Sequence, residues 1–367
     1  MSVRNLFKGQ TMNCADKIEA VFAGERVDTV PFALKGWRIP QCEAERVLRN
    51  EGLCIIDSRP GYSSTSPNTK TEIRHFTRDN VSYQKRTVWT PVGELTSLTR
   101  QGAVEQTERT TWRVEMPFKT PQDYDVVEYM IRDRRYTPAY DAFLKARRQM
   151  GGEAFFKTTA PGAPIHTIMY EIMGLETFSI EWAERRDRVL ALNDAIAENQ
   201  RDIYTIIAKS PATVVQCGGN YAPEVLGKER LIDLVLPHWE EITEVLHGGG
   251  KLVGSHLDAN NRLWAKEIGD SKLDWIEAFT PSPDTDMTMA DARQMWPEKV
   301  LFINFPSSLH LENTDAIETA TKRILREAAP GERLIIGITE NVPENRWRES
   351  FHTILKTVRT FGKLPIQ

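Results

Sequence analysis

Short apolar runs alternate with amphipathic segments through most of this chain. Four such runs in the C-terminal third end on polar side chains, which are His256 with Asp258, Glu277, Asn304 and Glu340. Alternating buried strands and helices predict a parallel sheet, in which the carboxyl ends of the strands lie on one face. If this sheet closes into a barrel, the four ends meet around one pocket, where barrel proteins place their chemistry.

A different pattern occupies residues 71–117. Polar and apolar side chains alternate there with period two, and turn signals stand at Asp79-Asn80 and at Pro91-Val92-Gly93. This alternation predicts an antiparallel ribbon inserted in an otherwise α/β chain, covering the barrel mouth or one end of it. Because there is no internal repeat and no linker rich in Gly, Ser or Pro, we expect one domain over residues 1–367.

Composition and charge narrow the class of protein. Hydrophobic residues make up 40% of the chain and charged residues 27%, as is ordinary for a globular enzyme. The net charge of −4 and the dispersed basic residues argue against a nucleic-acid partner. No apolar stretch approaches the ~18 residues of a membrane helix. The four cysteines form no close pair, which favours reduced thiols and a cytoplasmic location.

Several common motifs are missing. The sequence has no phosphate-binding Gly-x-x-x-x-Gly-Lys loop, no Gly-x-Gly-x-x-Gly after a strand, no His-Glu-x-x-His and no Gly-x-Ser-x-Gly. Nucleotide binding, zinc-peptidase and serine-hydrolase activities therefore have no sequence support.

The sharpest local pattern is His256-x-Asp258. Side chains two apart on a strand point to the same side, so this imidazole and carboxylate project together. The pair suits zinc if a third ligand comes from elsewhere, and Glu340 and Glu277 are rival candidates for it. The alternative is a structural hydrogen bond between His256 and Asp258 that orders the barrel rim.

Two further loops follow predicted strands. Cys217-Gly-Gly is followed by Asn220 and Tyr221, which either bind a ligand or form a tight turn whose glycines serve geometry only. Trp37 and Arg38, just after the first strand, either cap the pocket or begin an exposed helix.

Taken together, segments of this chain resemble the uroporphyrinogen decarboxylase superfamily, which includes cobalamin-dependent methyltransferases. The resemblance lies in residues 25–31, 90–93, 174–178, 246–258 and 337–345. It implies a (β/α)₈ TIM-type barrel with its site at the carboxyl face of the strands, and the homodimer that is usual in this family.

At the site, this chain differs from the sequence motifs of both branches of the family, and these differences indicate the kind of reaction. Decarboxylases carry Arg-Gln-Ala-Gly-Arg-Tyr after the first strand. Residues 34–40 here contain a single arginine, Arg38, and no such motif. The methyltransferases carry His-x-Cys and a later Cys, which bind zinc that activates a thiol. Here Asp258 replaces the first cysteine, and Ile338 or Glu340 stands in place of the second. Carboxylates are harder metal ligands than thiolates. A site built from them favours demethylation of a methyl ether or a methylated amine over methylation of a thiol.

We therefore expect a methyltransferase that moves a methyl group from a small methylated donor to the cobalt of a corrinoid. Because no corrinoid-binding domain is evident, the corrinoid would be carried by a partner protein. The resemblance implies Zn²⁺ as a Lewis acid, held by His256, Asp258 and Glu340. Glu277 and Asn304 would have catalytic, positioning roles, and Asn220 and Tyr221 would line the cofactor side of the pocket.

Two alternatives stay open at this point. One is a decarboxylase acting on a smaller, non-porphyrin acid, for which a metal-free basic pocket is expected. The other is a non-catalytic barrel that docks a corrinoid or porphyrin partner, with His256 and Asp258 hydrogen-bonded only to each other.

Overall fold

The structure is a computed structural model that describes residues 12–102 and 111–367. The strands in these ranges are β1 (Phe32–Leu34), β2 (Cys54–Ser58), β3 (Tyr62–Thr65), β4 (Lys70–Arg78), β5 (Val81–Thr90), β6 (Gly93–Gln101), β7 (Thr111–Glu115), β8 (Arg135–Pro138), β9 (Ala154–Ala160), β10 (Val214–Cys217), β11 (Leu252–His256), β12 (Trp275–Glu277), β13 (Val300–Asn304) and β14 (Leu334–Ile338).

The α-helices of the same ranges are α1 (Cys14–Phe22), α2 (Glu43–Asn50), α3 (Asp123–Arg132), α4 (Asp141–Met150), α5 (Pro164–Thr167), α6 (Leu175–Glu184), α7 (Arg186–Ala208), α8 (Pro223–Leu226), α9 (Lys228–Arg230), α10 (Leu236–Gly248), α11 (Ala265–Asp270), α12 (Met289–Met295), α13 (Thr314–Glu327) and α14 (Trp347–Phe361). Short 3₁₀ turns cover Gly36–Arg38, Gly151–Glu153, Arg262–Trp264 and Ser307–Leu311, and π-helical turns cover Ile168–Met173 and Leu231–Val235.

Eight strands close into a parallel barrel in the order β1-β14-β13-β12-β11-β10-β9-β2, and β2 pairs in turn with β1. The predicted (β/α)₈ barrel is confirmed, and the four apolar runs of the C-terminal third are β11 to β14. Parallel register places His256 beside Glu277, and Asn304 beside Gly337. The polar strand ends therefore lie on the same face of the barrel.

The opposite end of the barrel is closed by α1. Phe22 packs in the barrel interior against Phe155, with ring centroids 5.7 Å apart, and against Trp275 at 5.2 Å. A β-carbon at Gly254 would overlap the Trp275 ring, so the missing side chain makes room for that indole. The lower half of the barrel is thus a packed apolar core that supports whatever lies above it.

The predicted ribbon is also confirmed where the structure describes it, with β4, β5, β6 and β7 in one antiparallel sheet. Residues 103–110 of the predicted ribbon lie outside the described residues. A second, two-stranded sheet pairs β3 with β8, which the period-two pattern did not predict. Both strands have only four residues, and most of their side chains are exposed, so they carry no apolar alternation.

No helix in the described part of the chain is both long enough and apolar enough to cross a membrane.

Candidate active site at the barrel mouth

The inward side chains of the barrel change from apolar to polar near the carboxyl ends of the strands. The apolar interior cluster includes Ala33, Phe155, Val214, Trp275 and Phe302. Two residues further along each of these segments, on the same side of the chain, stand polar residues. They are Lys35, Lys157, Gln216, Glu277 and Asn304, and His256 takes the corresponding place after Gly254. A polar layer therefore covers the apolar core at the mouth.

Glu277 is at the centre of this layer and is fully buried. Its Oε1 lies 3.3 Å from the Lys35 ammonium and 3.4 Å from that of Lys157. Its Oε2 accepts a hydrogen bond from the Gln216 side-chain amide and lies 2.9 Å from Nδ1 of His256. Burial alone would raise the pKa of Glu277, but the charges of Lys157 and Lys35 and the bond from His256 hold it well below its usual range. The carboxylate stays ionised inside the protein.

Lys157 is the other fully buried charge of the layer. Its ammonium lies 5.6 Å from the centre of the Trp275 ring and donates to the side-chain oxygen of Gln216. Burial lowers the pKa of Lys157, and the charge of Glu277 opposes that shift. Glu277 thus favours the charged form of Lys157, and the two lysines favour the ionised form of Glu277.

His256 is held between two carboxylates. Nδ1 lies 2.9 Å from Glu277, and Nε2 lies 3.2 Å from Oδ2 of Asp258. Burial alone would lower the pKa of His256, but the hydrogen bonds and charges of Asp258 and Glu277 outweigh it and raise the pKa to about 9. The ring is therefore an imidazolium at neutral pH, with both N–H groups donating. Glu277 is fully buried, whereas 27% of the Asp258 side chain is exposed, so Nε2 faces the more accessible partner.

Asn304 and Glu340, also predicted for the site, have different surroundings. Asn304 is buried; its amide donates to the Thr280 hydroxyl at 3.3 Å, and its oxygen accepts from the Thr339 N–H at 2.8 Å. It ties together the segments that follow β12 and β14. Glu340 is exposed, and its charge acts on Arg38, whose pKa is lowered chiefly by burial.

Asn220 and Tyr221 tie the loop after β10 to the loop after β9. Tyr221 is buried, and its hydroxyl accepts from the Ala163 N–H at 3.0 Å and donates to the Gly218 carbonyl at 3.1 Å. Asn220 is exposed, and its backbone N–H donates to Nε2 of His166 at 2.8 Å. Tyr221 thus uses its hydroxyl to hold the rim, while the Asn220 side chain stays open to a ligand.

Lys35, Lys157 and Gln216 belong to the site but were not singled out from the sequence. A signal was present, because each follows an inward apolar residue by two positions, as Glu277 follows Trp275. The sequence predicted pocket residues at the ends of the C-terminal runs and in the loop of Asn220 and Tyr221, but not among the inward polar residues at the ends of β1, β9 and β10. Extending the same alternation to β1, β9 and β10 would have found all three.

The residues predicted to bind zinc are His256, Asp258 and Glu340. Nδ1 of His256 lies 2.9 Å from Glu277 and Nε2 lies 3.2 Å from Asp258, so each ring nitrogen already faces a carboxylate at hydrogen-bond distance. Across residues 12–102 and 111–367, no group of three His, Cys, Asp or Glu side chains is placed to hold a metal ion. As arranged here, His256, Asp258 and Glu340 do not fit zinc. Zinc binding therefore stays a prediction from the sequence.

Comparisons with known proteins give the fold. No family model matches this chain, and no curated protein matches it in sequence. A solved methyltransferase from Methanosarcina mazei aligns with 95% of this chain and 99% of its own, at 12% identity and a TM-score of 0.57. A GH113 β-1,4-mannanase aligns with 91% of this chain and 100% of its own, but its 11% identity and TM-score of 0.37 are too low to support an argument. The chain therefore shares a barrel fold with a methyltransferase, and its chemistry has to be inferred from the side chains at its mouth.

Proposed function

We propose that this protein is a methyltransferase that takes a methyl group from a small methyl ether or methylated amine and passes it to a corrinoid carried by a separate protein. The observation that carries this proposal is His256, held as an imidazolium between Glu277 and Asp258 at the barrel mouth. The fold similarity to the Methanosarcina mazei methyltransferase and the sequence resemblance described above support the same class of reaction.

Methyl transfer from an ether or from an uncharged amine requires a proton donor. When the bond between the methyl carbon and oxygen or nitrogen breaks, its electron pair stays on the heteroatom, which must then be neutralised. Glu277 fixes Nδ1 of His256 and so directs the Nε2 proton toward the mouth. If the heteroatom of the methyl donor replaces Asp258 as the hydrogen-bond acceptor for Nε2, it would receive this proton as the methyl group leaves. A reduced corrinoid, when bound, supplies the cobalt nucleophile that accepts the methyl group.

The rim of the barrel offers a surface for such a partner. Trp37, Leu263 and Leu311 are large apolar residues, each more than half exposed. They lie in the 3₁₀ turns that follow β1, β11 and β13, on the face that carries His256. A protein that docks on this face to deliver the corrinoid would cover these three side chains.

The proposal is tested by methyl transfer to cob(I)alamin from a panel of methyl ethers and methylated amines. We expect His256→Gln to slow transfer by about 100-fold or more, because a positioned acid contributes that much to a rate. His352→Gln changes a histidine with a 54% exposed side chain outside the site and should transfer at the wild-type rate. Equal rates for wild type and His256→Gln would overturn the proposal. Zinc content of the purified protein, measured in parallel, tests the zinc-assisted version.

A second candidate is decarboxylation of a small acid, favoured by the cations at the mouth. Lys35 keeps 20% of its side chain exposed beside Glu277, and Arg38 is half-buried nearby. These groups could bind a carboxylate, and His256 could protonate the carbanion left when CO₂ departs. Release of CO₂ without any corrinoid, lost in Lys35→Met, would favour this reaction over methyl transfer.

The non-catalytic alternative required His256 and Asp258 to bond only to each other. His256 also donates to Glu277, at 2.9 Å, so the pair is part of a larger charged layer. This extra bond favours an active site over a rim contact that only orders the barrel.

A further inference from the structure

A polar cavity of about 440 Å³ lies between the ribbon and the flank of the barrel mouth. Its roof is formed by β5, β6 and β7, its walls by β3, β8 and α7, and Pro161 and Gly162 after β9 line its barrel side. The lining contains none of the side chains of the layer around Glu277. It is therefore separate from the candidate active site.

The inward face of the ribbon changes character where it covers this cavity. Val88 and Leu95 face each other across β5 and β6 and are buried, as expected for a sheet packed on a protein. Two residues further from the turn on β5, on the same face, stands Arg86 opposite Ser97. The next positions are also polar, with Gln84 opposite Thr99 and Arg113 on β7 beside Thr99. A sheet face that served only packing would remain apolar.

Three guanidinium groups meet at this cavity, from Arg86, Arg113 and Arg134. Partial burial lowers the pKa of Arg86, and the positive charges of Arg134 and Arg113 lower it further. Among the described residues, Glu171 is the one carboxylate of the lining, and Arg113 donates to its backbone carbonyl, at 2.6 Å. Within residues 12–102 and 111–367, neither Arg86 nor Arg134 forms an ion pair. Like charges repel one another at close range, and an anion bound between them would relieve that repulsion.

The remaining wall is aromatic and can donate hydrogen bonds. Tyr62 and Tyr136 pack edge to face, with ring centroids 5.7 Å apart. The Tyr136 hydroxyl donates to the side-chain oxygen of Asn199 at 2.9 Å, which fixes that ring. Rigid aromatic walls with a few convergent polar groups are typical of small-molecule sites, and so is a volume of roughly 300–1,000 Å³.

We propose that this cavity binds a small dianion that carries carboxylate or phosphate groups. Among the described residues of the lining, three arginines against one glutamate leave two positive charges, which a doubly charged ligand neutralises. Arginine is suited to this task because its planar fork binds carboxylate and phosphate oxygens in pairs. The site stands independently of the reaction proposed for the barrel mouth.

Isothermal titration at low ionic strength with succinate and with inorganic phosphate tests this site. We expect saturable binding of one dianion per chain, with acetate binding at least 10-fold more weakly. The better of the two dianions identifies carboxylate or phosphate as the natural group. Arg86→Gln and Arg134→Gln should each raise Kd at least 10-fold, whereas His256→Gln should leave Kd unchanged.

The matched control is Lys85→Gln. Lys85 is exposed and precedes Arg86 on the same strand, so its side chain points to the opposite face of the ribbon. If Lys85→Gln weakened binding as much as Arg86→Gln, the effect would be general attraction of anions, and the proposal would fail. It would fail equally if folded wild-type protein, verified by circular dichroism, showed no saturable binding of either dianion. Arg134→Gln, on a different element, keeps the test valid if Arg86→Gln does not fold.

Discussion

The polar layer of the barrel mouth and the arginine cavity under the ribbon differ in how far their charges are buried and how they are neutralised. In the barrel, Glu277 and Lys157 are fully buried, and the charges there are matched by direct ion pairs. Under the ribbon, three arginines meet one carboxylate within the part of the chain that the structure describes, and Arg86 and Arg113 remain exposed. Water can screen the second set but not the first. The barrel charges therefore depend on one another for stability, whereas the cavity charges remain accessible to a ligand.

The largest effect is expected from Glu277→Gln. This change leaves Lys35, Lys157 and His256 without their shared countercharge in a buried layer. Breaking a buried ion pair by removing one partner costs about 3–5 kcal/mol, so the free energy of unfolding should fall by that amount. Urea denaturation at pH 7 measures it.

Glu340→Gln is the matched control for that experiment, since it removes an exposed carboxylate on the same face of the barrel. Its unfolding free energy should stay within about 0.5 kcal/mol of wild type. A similar loss of unfolding free energy in the two variants would mean that burial does not determine how much this layer stabilises the protein. The contrast between the two regions would then be wrong.

The next effect concerns pH. The pKa of His256 is near 6.5 in the unfolded chain and about 9 in the folded protein, so protonation stabilises the fold. This contribution is complete below pH 6.5 and is lost as the pH rises through 9. From the size of the shift it amounts to about 3 kcal/mol. Denaturation at pH 6 and pH 10 should show this extra drop in wild type and in His352→Gln. A drop of the same size in His256→Gln would place its origin elsewhere.

A smaller effect is the coupling between buried partners. Lys157→Met and Glu277→Gln together should destabilise the protein by about 1–3 kcal/mol less than the sum of the two single changes. Arg86→Gln with Arg134→Gln provides the comparison, because screening by water should keep that coupling within about 0.5 kcal/mol. Double-mutant cycles by urea denaturation measure both. If the two cycles gave equal values, the contrast between the regions would not hold.

The smallest effect is expected from Arg86→Gln alone, without ligand. The side chain is exposed and forms no ion pair within the described residues, so unfolding free energy should change by about 0.5 kcal/mol at most. Thermal melting with and without the better-binding dianion gives the readout. Wild type should gain a ligand-dependent rise in Tm that Arg86→Gln lacks. A large loss of stability without ligand would assign this arginine to structure instead.

Much of the fold could be predicted from hydrophobic periodicity. The runs that end at His256, Glu277 and Asn304 are strands, and alternation revealed the ribbon. The short pair β3–β8 was missed because its side chains are mostly exposed and so leave no apolar pattern. Prediction was weakest for charges far apart in sequence, since nothing local indicates that Lys35 and Lys157 meet at Glu277.

The sequence by itself determined that strands and helices alternate, that polar residues close the C-terminal strands, and that a ribbon interrupts the first third. These features depend on spacing of two or of three to four residues, which is local. Only the tertiary structure decided what the polar residues do. Closure of the barrel brings β1, β9 and β12 together, and the carboxylates of Glu277 and Asp258 then outweigh the effect of burial and keep His256 an imidazolium. Charge state inside a protein depends on neighbours from distant parts of the chain, and those exist only once it has folded.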